Sequence, residues 1–407
     1  MKTLRFCITA LLASCAMISV AQTSNEIDGQ RYRRLSLCNI LVKHDKEKFA
    51  DEIEQQFLNI PVSEQYNDHN LSVRVVNTSD KLKDDAQITQ FVKANNIASR
   101  LVGKWFNRNL LTGTCDMELI KSRGLYDASA FDHEMAQRSA RGKAMLEDAG
   151  EDLIGNTYLL MHEITYIDKG KRSKTWGMIG GALMGGLMAY AGGSTQQITN
   201  AINSTNSLIS SYKGFSVKIR TRLYRLVWDD ETSGMFYTQF YSAKPDADKI
   251  NSFEDNRDKF KLLYVGDVIS KGGRTSFLGI KEEEPQLMIR KACQRALDEN
   301  VADLMKKYDQ FRIKSPVLTV DPTITVQIGL KEGVTPNSRY EVLEAQEENG
   351  KTIYKRIAVI KPVANRIWDN RFMASEELAY GSDFGATTFI KESGGDIIPG
   401  HLVRQIH

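Results

Sequence analysis

Histidine and cysteine are the residue types that most often bind metals or act as nucleophiles, and this sequence has six histidines and five cysteines. His133-Glu134 begins the pattern of a zinc-binding helix, but the second histidine of that motif is missing. No cysteine pair has zinc-site spacing, and no G-x-S-x-G turn exposes a serine. We therefore expect no metal site and no catalytic residue. The histidines, which we expect to be satisfied core or surface residues, are His44, His69, His133, His162, His401 and His407.

Paired carboxylates and glycine-rich loops are two further signs of catalysis. Asp229-Asp230 and the run 282–284 are typical of solvated turns, because acid–base chemistry needs a buried carboxyl group with a shifted pKa. The glycines between 177 and 193 are not followed by the Gly-Lys-Ser/Thr that ends a phosphate-binding loop. The sequence therefore predicts a protein that is not an enzyme and has no cofactor.

The N-terminus has the pattern of a secretion signal. Lys2 and Arg5 precede an apolar run over 6–20, which leads to a small-residue cleavage site at Ala21. We expect cleavage after Ala21 and export to the periplasm. In an alternative interpretation, L-A-S-C matches the sequence at which a bacterial lipoprotein is cut, and Cys15 would then carry a lipid.

The net charge limits the kinds of binding partner, and the cysteine count limits the number of disulfide bonds. The formal net charge is only +3 and includes two residues of the signal, so the exported chain has no overall field that attracts nucleic acid. We expect no nucleic-acid partner. Cleavage would leave Cys38, Cys115 and Cys293, an odd number. They form either one disulfide and a free thiol, or three buried thiols.

One stretch differs from the rest of the chain. Residues 176–193 carry no charge, although 26% of the chain is charged. Small residues recur there at every fourth position, which on a helix places them in one stripe that allows close approach of another helix. The candidate site residues of this stretch are Trp176, Gly177, Gly181, Gly185, Ala189 and Gly193.

Two structures fit this stretch equally well. It forms either a helical hairpin that packs or self-associates through the small-residue stripe, or a segment that dips into a membrane beside Lys171, Arg172 and Lys174. A disordered loop fits less well, because Trp176 and other large apolar side chains would face water. If the flanking strands belong to one sheet, a single membrane crossing is excluded, and the chain must return.

Apolar periodicity places this stretch inside an α/β domain. The pattern alternates between strands and helices, and we expect a mixed sheet packed by helices. The predicted elements are strand–helix–strand over 35–76, a helical face over 97–106, a strand within 115–129, a helix over 132–149, a strand within 150–168, a hairpin over 214–242 with its turn at 229–234, and a helix from about 284.

The pattern changes to strands and turns after Pro316, and Asn349-Gly350 is typical of a hairpin tip. We expect a small all-β domain, either a barrel or a sandwich. The predicted organisation is a signal peptide at 1–21, a flexible lead-in at 22–34, an α/β domain at 35–315 with insertions at 169–213 and 242–284, and the β domain at 316–407.

Several segments between 35 and 312 resemble the family of the curli secretion channel. "CDMELIKSRGLYDAS" is similar to a strand and following segment of that family, with Ile120 and Arg123 at its pattern positions. "AGEDLIGNTYLLMHEITYID" resembles its next strand, and "EEEPQLMIRKACQRALDENVADLM" its closing helix. The resemblance implies an α/β periplasmic lipoprotein that forms rings in the outer membrane. It also implies that the two insertions occupy the places of the family's membrane hairpins.

The C-terminal sequence "ITVQIGLKEGVTPNSRYEVLE" is similar to the small β domain that closes flagellar assembly protein T. Gly329, Gly333 and the turn at Pro336-Asn337 occupy the place of a glycine-containing turn in that domain. The resemblance implies an interaction module.

Together these patterns predict a non-enzymatic exported envelope protein. We expect a homo-oligomer that engages outer-membrane lipid through the Gly-rich insertion and serves a protein client in assembly or secretion. The alternative is a soluble periplasmic module that binds and regulates an envelope enzyme. A periplasmic hydrolase is a third class, and it would need a cleft with shifted carboxyl groups.

Overall fold

The computed structural model describes residues 34–78, 85–126, 128–138, 143–167, 216–272, 285–348, 351–374 and 385–406. An α/β part is followed by a closed barrel. The strands of the first part are β1 Ser36–His44, β2 Asn67–Asp68, β3 Val75–Thr78, β4 Thr157–Tyr166, β5 Val217–Leu226 and β6 Leu262–Gly272. Its helices are α1 Ala50–Leu58, α2 Asp85–Ala94, α3 Ile97–Trp105, α4 Glu118–Tyr126, α5 Ala130–Arg138, α6 Lys143–Ala149, α7 Asp230–Gln239, α8 Ala247–Asp255 and α9 Pro285–Lys307.

The central sheet is mixed, as the sequence predicts. Its order is β2-β1-β4-β5-β6, and β3 also pairs with β1. Strand β1 is parallel to β2, β3 and β4, whereas β5 is antiparallel to both β4 and β6. β1 and β4 are nearly continuous apolar runs because both of their faces are buried.

Helices cover the two faces of this sheet. On one face, Leu41 and Ile219 pack with α1 and α9. On the other face, Ile40 and Met161 pack with α2, α3 and α7. Successive strand residues point to opposite faces, so β1 and β4 supply side chains to both layers. The three cysteines of the described chain are buried and free, which confirms the interpretation as thiols, and burial raises the pKa of the Cys38 thiol to about 11.

The strand predicted within 115–129 is wrong, because its core is helix α4. Ile120, Arg123 and Gly124 are buried at the three- and four-residue spacing of a helix. A side chain at Gly124 would lie 2.2 Å from the carbonyl oxygen of Leu146, so the glycine permits close packing of α4 on α6. The segment "MELI", in which Glu118 interrupts the apolar residues, is compatible with a strand, but contacts with other helices decided the conformation.

The hairpin predicted over 214–242 is also wrong. β5 pairs with β4 and β6, and the segment after it is helix α7. Asp229 is the N-cap of this helix, and its Oδ1 accepts a hydrogen bond from the backbone N–H of Thr232 at 2.9 Å. Phe236 and Phe240, four residues apart, are buried on one face. The residues taken for a turn are therefore a helix start.

Two other predicted segments are described only in part. Helices α5 and α6 lie in the region predicted as one helix over 132–149, and residues 139–142 between them lie outside the described chain. Strand β6 falls within the second predicted insertion, 242–284, and is an edge strand of the central sheet. No helix in the described part of the chain has the length and apolar character needed to cross a membrane.

The C-terminal strands close into a six-stranded barrel, which selects the barrel over the sandwich. The strand order around it is β10-β11-β8-β7-β12-β9. Its strands are β7 Ser315–Thr319, β8 Ile324–Val326, β9 Arg339–Glu348, β10 Lys351–Pro362, β11 Thr387–Gly394 and β12 Leu402–Ile406. Glu348 pairs with Lys351 in the predicted hairpin, and residues 349–350 at its tip lie outside the described chain.

The glycine-containing turn predicted in the barrel is present. Gly329 and Gly333 flank a 3-10 turn at Leu330–Glu332, and Gly333 has a φ of +75°, which favours glycine. The buried Glu332 Oε2 accepts hydrogen bonds from the Gly329 N–H and from Asn370 Nδ2, both at 2.7 Å. This carboxyl group fixes the turn against the rest of the barrel.

The barrel packs against α9 and the loop after α1. Gln65 Nε2 donates to the carbonyl oxygen of Gln327 at 3.0 Å. A cavity of about 60 Å³ lies at this interface and is lined by Tyr66 and Asp298 of the α/β part and by Lys331 and Glu332 of the barrel, among others. Tyr66 Oη and Asp298 Oδ2 are buried without a hydrogen-bond partner among the described residues.

Asp298 makes the stability of this interface depend on pH. Burial, with a smaller contribution from nearby Glu332 and against the opposing effects of Lys331 and Arg295, raises its pKa from 3.8 to about 7. Because the folded pKa is the higher one, stability from the neutral form is complete below about pH 4 and is lost as pH rises to about 7. We expect Asp298→Asn, which stays neutral, to stabilise the protein at pH 8 by on the order of 2 kcal/mol relative to wild type.

Thermal unfolding at pH 5 and pH 8 measures this difference. The gain from Asp298→Asn should be larger at pH 8, whereas Asp255→Asn, at an exposed position of α8, should change both values little. An equal effect of Asp298→Asn at both pH values would contradict the prediction.

Candidate functional site

Strand pairing brings the ends of several segments together at one end of the central sheet. Tyr166, at the end of β4, pairs with Val217 at the start of β5, and Val217 pairs with Gly272 at the end of β6. β1 runs parallel to β4, and its last residue, His44, pairs with Thr78 of β3. We call this end of the sheet, where β1, β4 and β6 end and β5 begins, the insertion edge; the term does not refer to an outer strand. The chain between β4 and β5 leaves and returns at this edge.

The site residues predicted from the sequence lie outside the described chain. Cys15 lies within 1–33, and the other six lie within 168–215. The segments 79–84 and 273–284, also outside it, follow β3 and β6 at the insertion edge. The structure thus describes the points to which these segments are attached. The residues whose arrangement stays a prediction are Trp176, Gly177, Gly181, Gly185, Ala189 and Gly193.

A buried arginine, Arg222, lies on the α2 face of the sheet in the middle of β5, five residues from Val217 at the insertion edge. The Arg222 side chain is 0% exposed and lies between two carboxylates. Its Nε donates to Asp85 Oδ1 and its Nη1 donates to Glu163 Oε2, both at 2.8 Å. Burial alone would lower the pKa of Arg222, but the bonds to the two carboxylates outweigh burial and raise it. The guanidinium therefore stays charged in the core.

Further side chains extend this cluster across the sheet. Arg220 donates to Asp85 Oδ1 at 2.9 Å and to Asp267 Oδ2 at 2.7 Å. His44 Nε2 lies 3.1 Å from Glu163 Oε1, and Tyr264 Oη donates to Asp85 Oδ2 at 3.3 Å. We call these residues the edge network. Its members are His44, Asp85, Glu163, Arg220, Arg222, Tyr264 and Asp267.

The edge network links α2 to four strands. Asp85 is the first residue of α2, whereas His44, Glu163, Arg220 and Asp267 come from β1, β4, β5 and β6. Because each arginine contacts two carboxylates, a shift of one strand relative to another would leave a charge unpaired in a largely buried place. The network therefore fixes the relative positions of the elements at the insertion edge.

The pKa of Asp85 suits a role in positioning other residues rather than in acid–base catalysis. The hydrogen bond from Arg222 lowers the pKa of Asp85, with Arg220 adding to the effect and burial opposing it. A general acid or base that works near neutral pH needs the opposite shift. Within the described residues, no group of three or more His, Cys, Asp or Glu side chains could hold a metal ion.

The sequence contains a signal that could have revealed this network. In β5, Arg220 and Arg222 alternate with Ile219, Thr221 and Leu223, so both arginines point to one face. Because helices cover both faces of the sheet, that face must supply carboxylates. Which carboxylates do so depends on the strand order, because Asp85 and Arg222 are separated by 137 positions.

Arg123, singled out by its match to the family pattern, lies in a second buried cluster. From α4, its guanidinium lies 4.3 Å from the ring centroid of Trp105 and donates to Ser36 Oγ at 3.0 Å. Its Nη1 also lies 3.1 Å from His69 Nδ1, and His69 Nε2 lies 3.0 Å from the carbonyl oxygen of Leu101. Burial, and secondarily Arg123, lowers the pKa of His69, so the ring is neutral and joins α4 to α3.

Comparison with known proteins gives no family for this chain. No protein-family model matches it, and no curated protein matches it significantly. The arguments about function therefore rest on the sequence patterns and on the geometry of the insertion edge.

The edge network makes a testable contribution to stability. Replacing Arg222 with alanine leaves Glu163 and Asp85 without their central partner, and we expect a loss of about 3 kcal/mol in the free energy of unfolding of the α/β part. Urea denaturation followed by circular dichroism measures this loss. The control is Arg138→Ala, which removes an ion pair between exposed side chains and should cost less than about 0.5 kcal/mol. Equal costs for the two variants would contradict a central role for Arg222.

Proposed function

We propose that this protein is a non-enzymatic component of the bacterial envelope that assembles, or engages the outer membrane, through the Gly-rich insertion. The observation that carries the proposal is the pairing of Tyr166 with Val217. The segment between these residues therefore begins and ends at the same end of a folded sheet. A segment attached in this way is able to reach a membrane or a neighbouring subunit while the α/β part stays on one side.

The pairing also favours a returning path for the insertion. Strands β4 and β5 are antiparallel neighbours over nine residue pairs, Tyr158–Tyr166 with Val217–Arg225. A chain that crossed a bilayer once could not rejoin the same sheet, because the two strands would be on opposite sides. The uncharged run 176–193 and the amphipathic segment that follows it fit the outward and return parts.

The edge network supports a mechanical role for this end of the molecule. A segment that inserts into lipid or packs against another subunit transmits force to its attachment points. Arg220 and Arg222 lie three and five residues from Val217 on the strand that follows the insertion, and their paired carboxylates resist displacement of the strands. This arrangement suits a platform from which an insertion acts on a partner in secretion or assembly.

A soluble periplasmic module that binds and regulates an envelope enzyme is the second candidate. Two adjacent leucines favour it: Leu110 and Leu111 are 78% and 89% exposed. Their loop is ordered by Asn109, whose Oδ1 accepts hydrogen bonds from the N–H groups of Leu111 and Thr112. A loop held by these hydrogen bonds that presents two leucines to solvent suits contact with an apolar cleft of another protein.

Glycine substitutions test the assembly function. In Gly181→Leu/Gly185→Leu, two branched side chains block the small-residue stripe, so we expect the oligomer to dissociate while circular dichroism stays unchanged. Light scattering measures the mass. Gly234→Leu is the control, because this exposed glycine of α7 has open space around it. An unchanged oligomer in the double variant would argue against association through the stripe.

Carbonate extraction tests membrane engagement separately. Residues 22–407 are expressed behind a signal that ordinary signal peptidase removes, so that no lipid anchor contributes. We expect the protein to stay in the membrane pellet at alkaline pH and to be released when 175–193 is deleted. Complete release of the undeleted protein would favour the soluble module.

A further inference from the structure

A groove lies on the barrel, far in sequence from the Gly-rich insertion. It has a volume of about 620 Å³ and opens between the end of α9 and the barrel strands. This volume is within the range of small-molecule sites. Its lining residues belong to α9, to the segment before β7, to the turn before β9, and to strands β9, β10, β11 and β12.

Positive charge dominates the groove. Four cationic side chains line it, together with the single carboxylate of Glu392. The whole chain has nearly balanced charges, 54 basic against 51 acidic residues, so this local excess is a property of the site. The four cations are Lys306, Arg312, Arg339 and Lys361.

The two arginines already have partners. Arg339 Nη2 donates to Glu392 Oε1 at 2.8 Å. Arg312 forms an ion pair with Asp309, and its Nη1 donates to the carbonyl oxygen of Gln405 at 3.1 Å. These contacts hold both guanidinium groups in place and neutralise them in part. They also join the segment after α9 to β12, which forms one wall of the groove.

The two lysines differ from the arginines. The ammonium groups of Lys306 and Lys361 have no hydrogen-bond or ion-pair partner among the described residues. Lys306 Nζ lies over the glycine turn, 3.0 Å from the position that a Cβ of Gly333 would occupy. Both lysines are only partly exposed. Two lysines therefore line one groove whose one carboxylate among the described lining residues, that of Glu392, is already paired with Arg339.

We propose that this groove binds a phosphate monoester, either of a soluble phosphorylated sugar or of a lipid headgroup. A phosphate monoester carries a charge close to −2 at pH 7, which balances the two lysines. Lysine binds phosphate as a compact point charge and needs no fixed planar geometry. The groove is much larger than one phosphate group, so it also accommodates the organic part of the ligand.

Binding is tested by isothermal titration calorimetry of the full chain. Glucose 6-phosphate is the soluble probe, and glucose is its uncharged control. We expect saturable binding of glucose 6-phosphate with a dissociation constant in the millimolar range or below, no binding of glucose, and weaker binding at high salt. A second arm uses phosphatidylcholine vesicles with and without phosphatidic acid, whose headgroup is a phosphate monoester.

Variants assign the binding to the groove. Lys306→Gln/Lys361→Gln should weaken binding at least about tenfold in the arm that shows it. Lys355→Gln, an exposed lysine on the same strand as Lys361 but outside the groove, should bind as wild type does. Neither lysine has a hydrogen-bond or ion-pair partner among the described residues, so thermal unfolding should be unchanged, which separates lost binding from lost fold.

The two arms distinguish the sources of the phosphate. Binding of glucose 6-phosphate that the double variant loses supports a soluble ligand. Binding only to phosphatidic acid vesicles, again lost in the double variant, supports a lipid headgroup. No binding in either arm, or binding that the double variant retains, overturns the proposal. These outcomes are independent of the Gly-rich insertion, which is intact in every variant.

Discussion

The described α/β part depends most on one constraint, the pairing of the buried Arg222 with Asp85 and Glu163. A guanidinium group removed from water is unfavourable unless its hydrogen bonds and charge are satisfied in a fixed geometry. The charge of Arg222 and its Nε and Nη1 donors are paired only when α2, β4 and β5 are in register, and its buried Nη2 has no hydrogen-bond partner among the described residues. Apolar packing drives the layers together but tolerates small shifts, whereas this ion cluster requires one arrangement.

The edge network and the groove lie in different parts of the molecule, which correspond to the two proposed functions. Three segments outside the described chain are attached at the insertion edge, and the edge network joins the strands that end there. The barrel packs instead against α9, where Arg295 Nη2 donates to the carbonyl oxygen of Phe372 at 2.7 Å. The groove lined by Lys306 and Lys361, which have no partner within the described part of the chain, lies on the barrel. The molecule thus has separate places for the proposed assembly contact and for the proposed phosphate ligand.

Sequence patterns predicted the elements whose burial is simple. β1 and β4 are continuous apolar runs buried on both faces, and α9 has a helical apolar stripe, so their types were evident. The predictions failed at α4 and α7, where the local sequence pattern is compatible with two different conformations. "MELI" fits a strand or one buried turn of a helix, and Asp229 fits a turn or a helix N-cap. Packing against Gly150 and Phe106 resolves these cases, and neither contact is local in sequence.

The sequence by itself determined the α/β class, the all-β C-terminal part, the absence of a zinc-helix motif and the uncharged stretch at 176–193. These features follow from the order and period of nearby residues. Only the tertiary structure decided that Asp85 meets Arg222, that Arg123 lies on Trp105 beside His69, and that Lys306 and Lys361 face one groove. The physical reason is distance along the chain: strand order and domain packing choose these partners, and local periodicity carries no information about either.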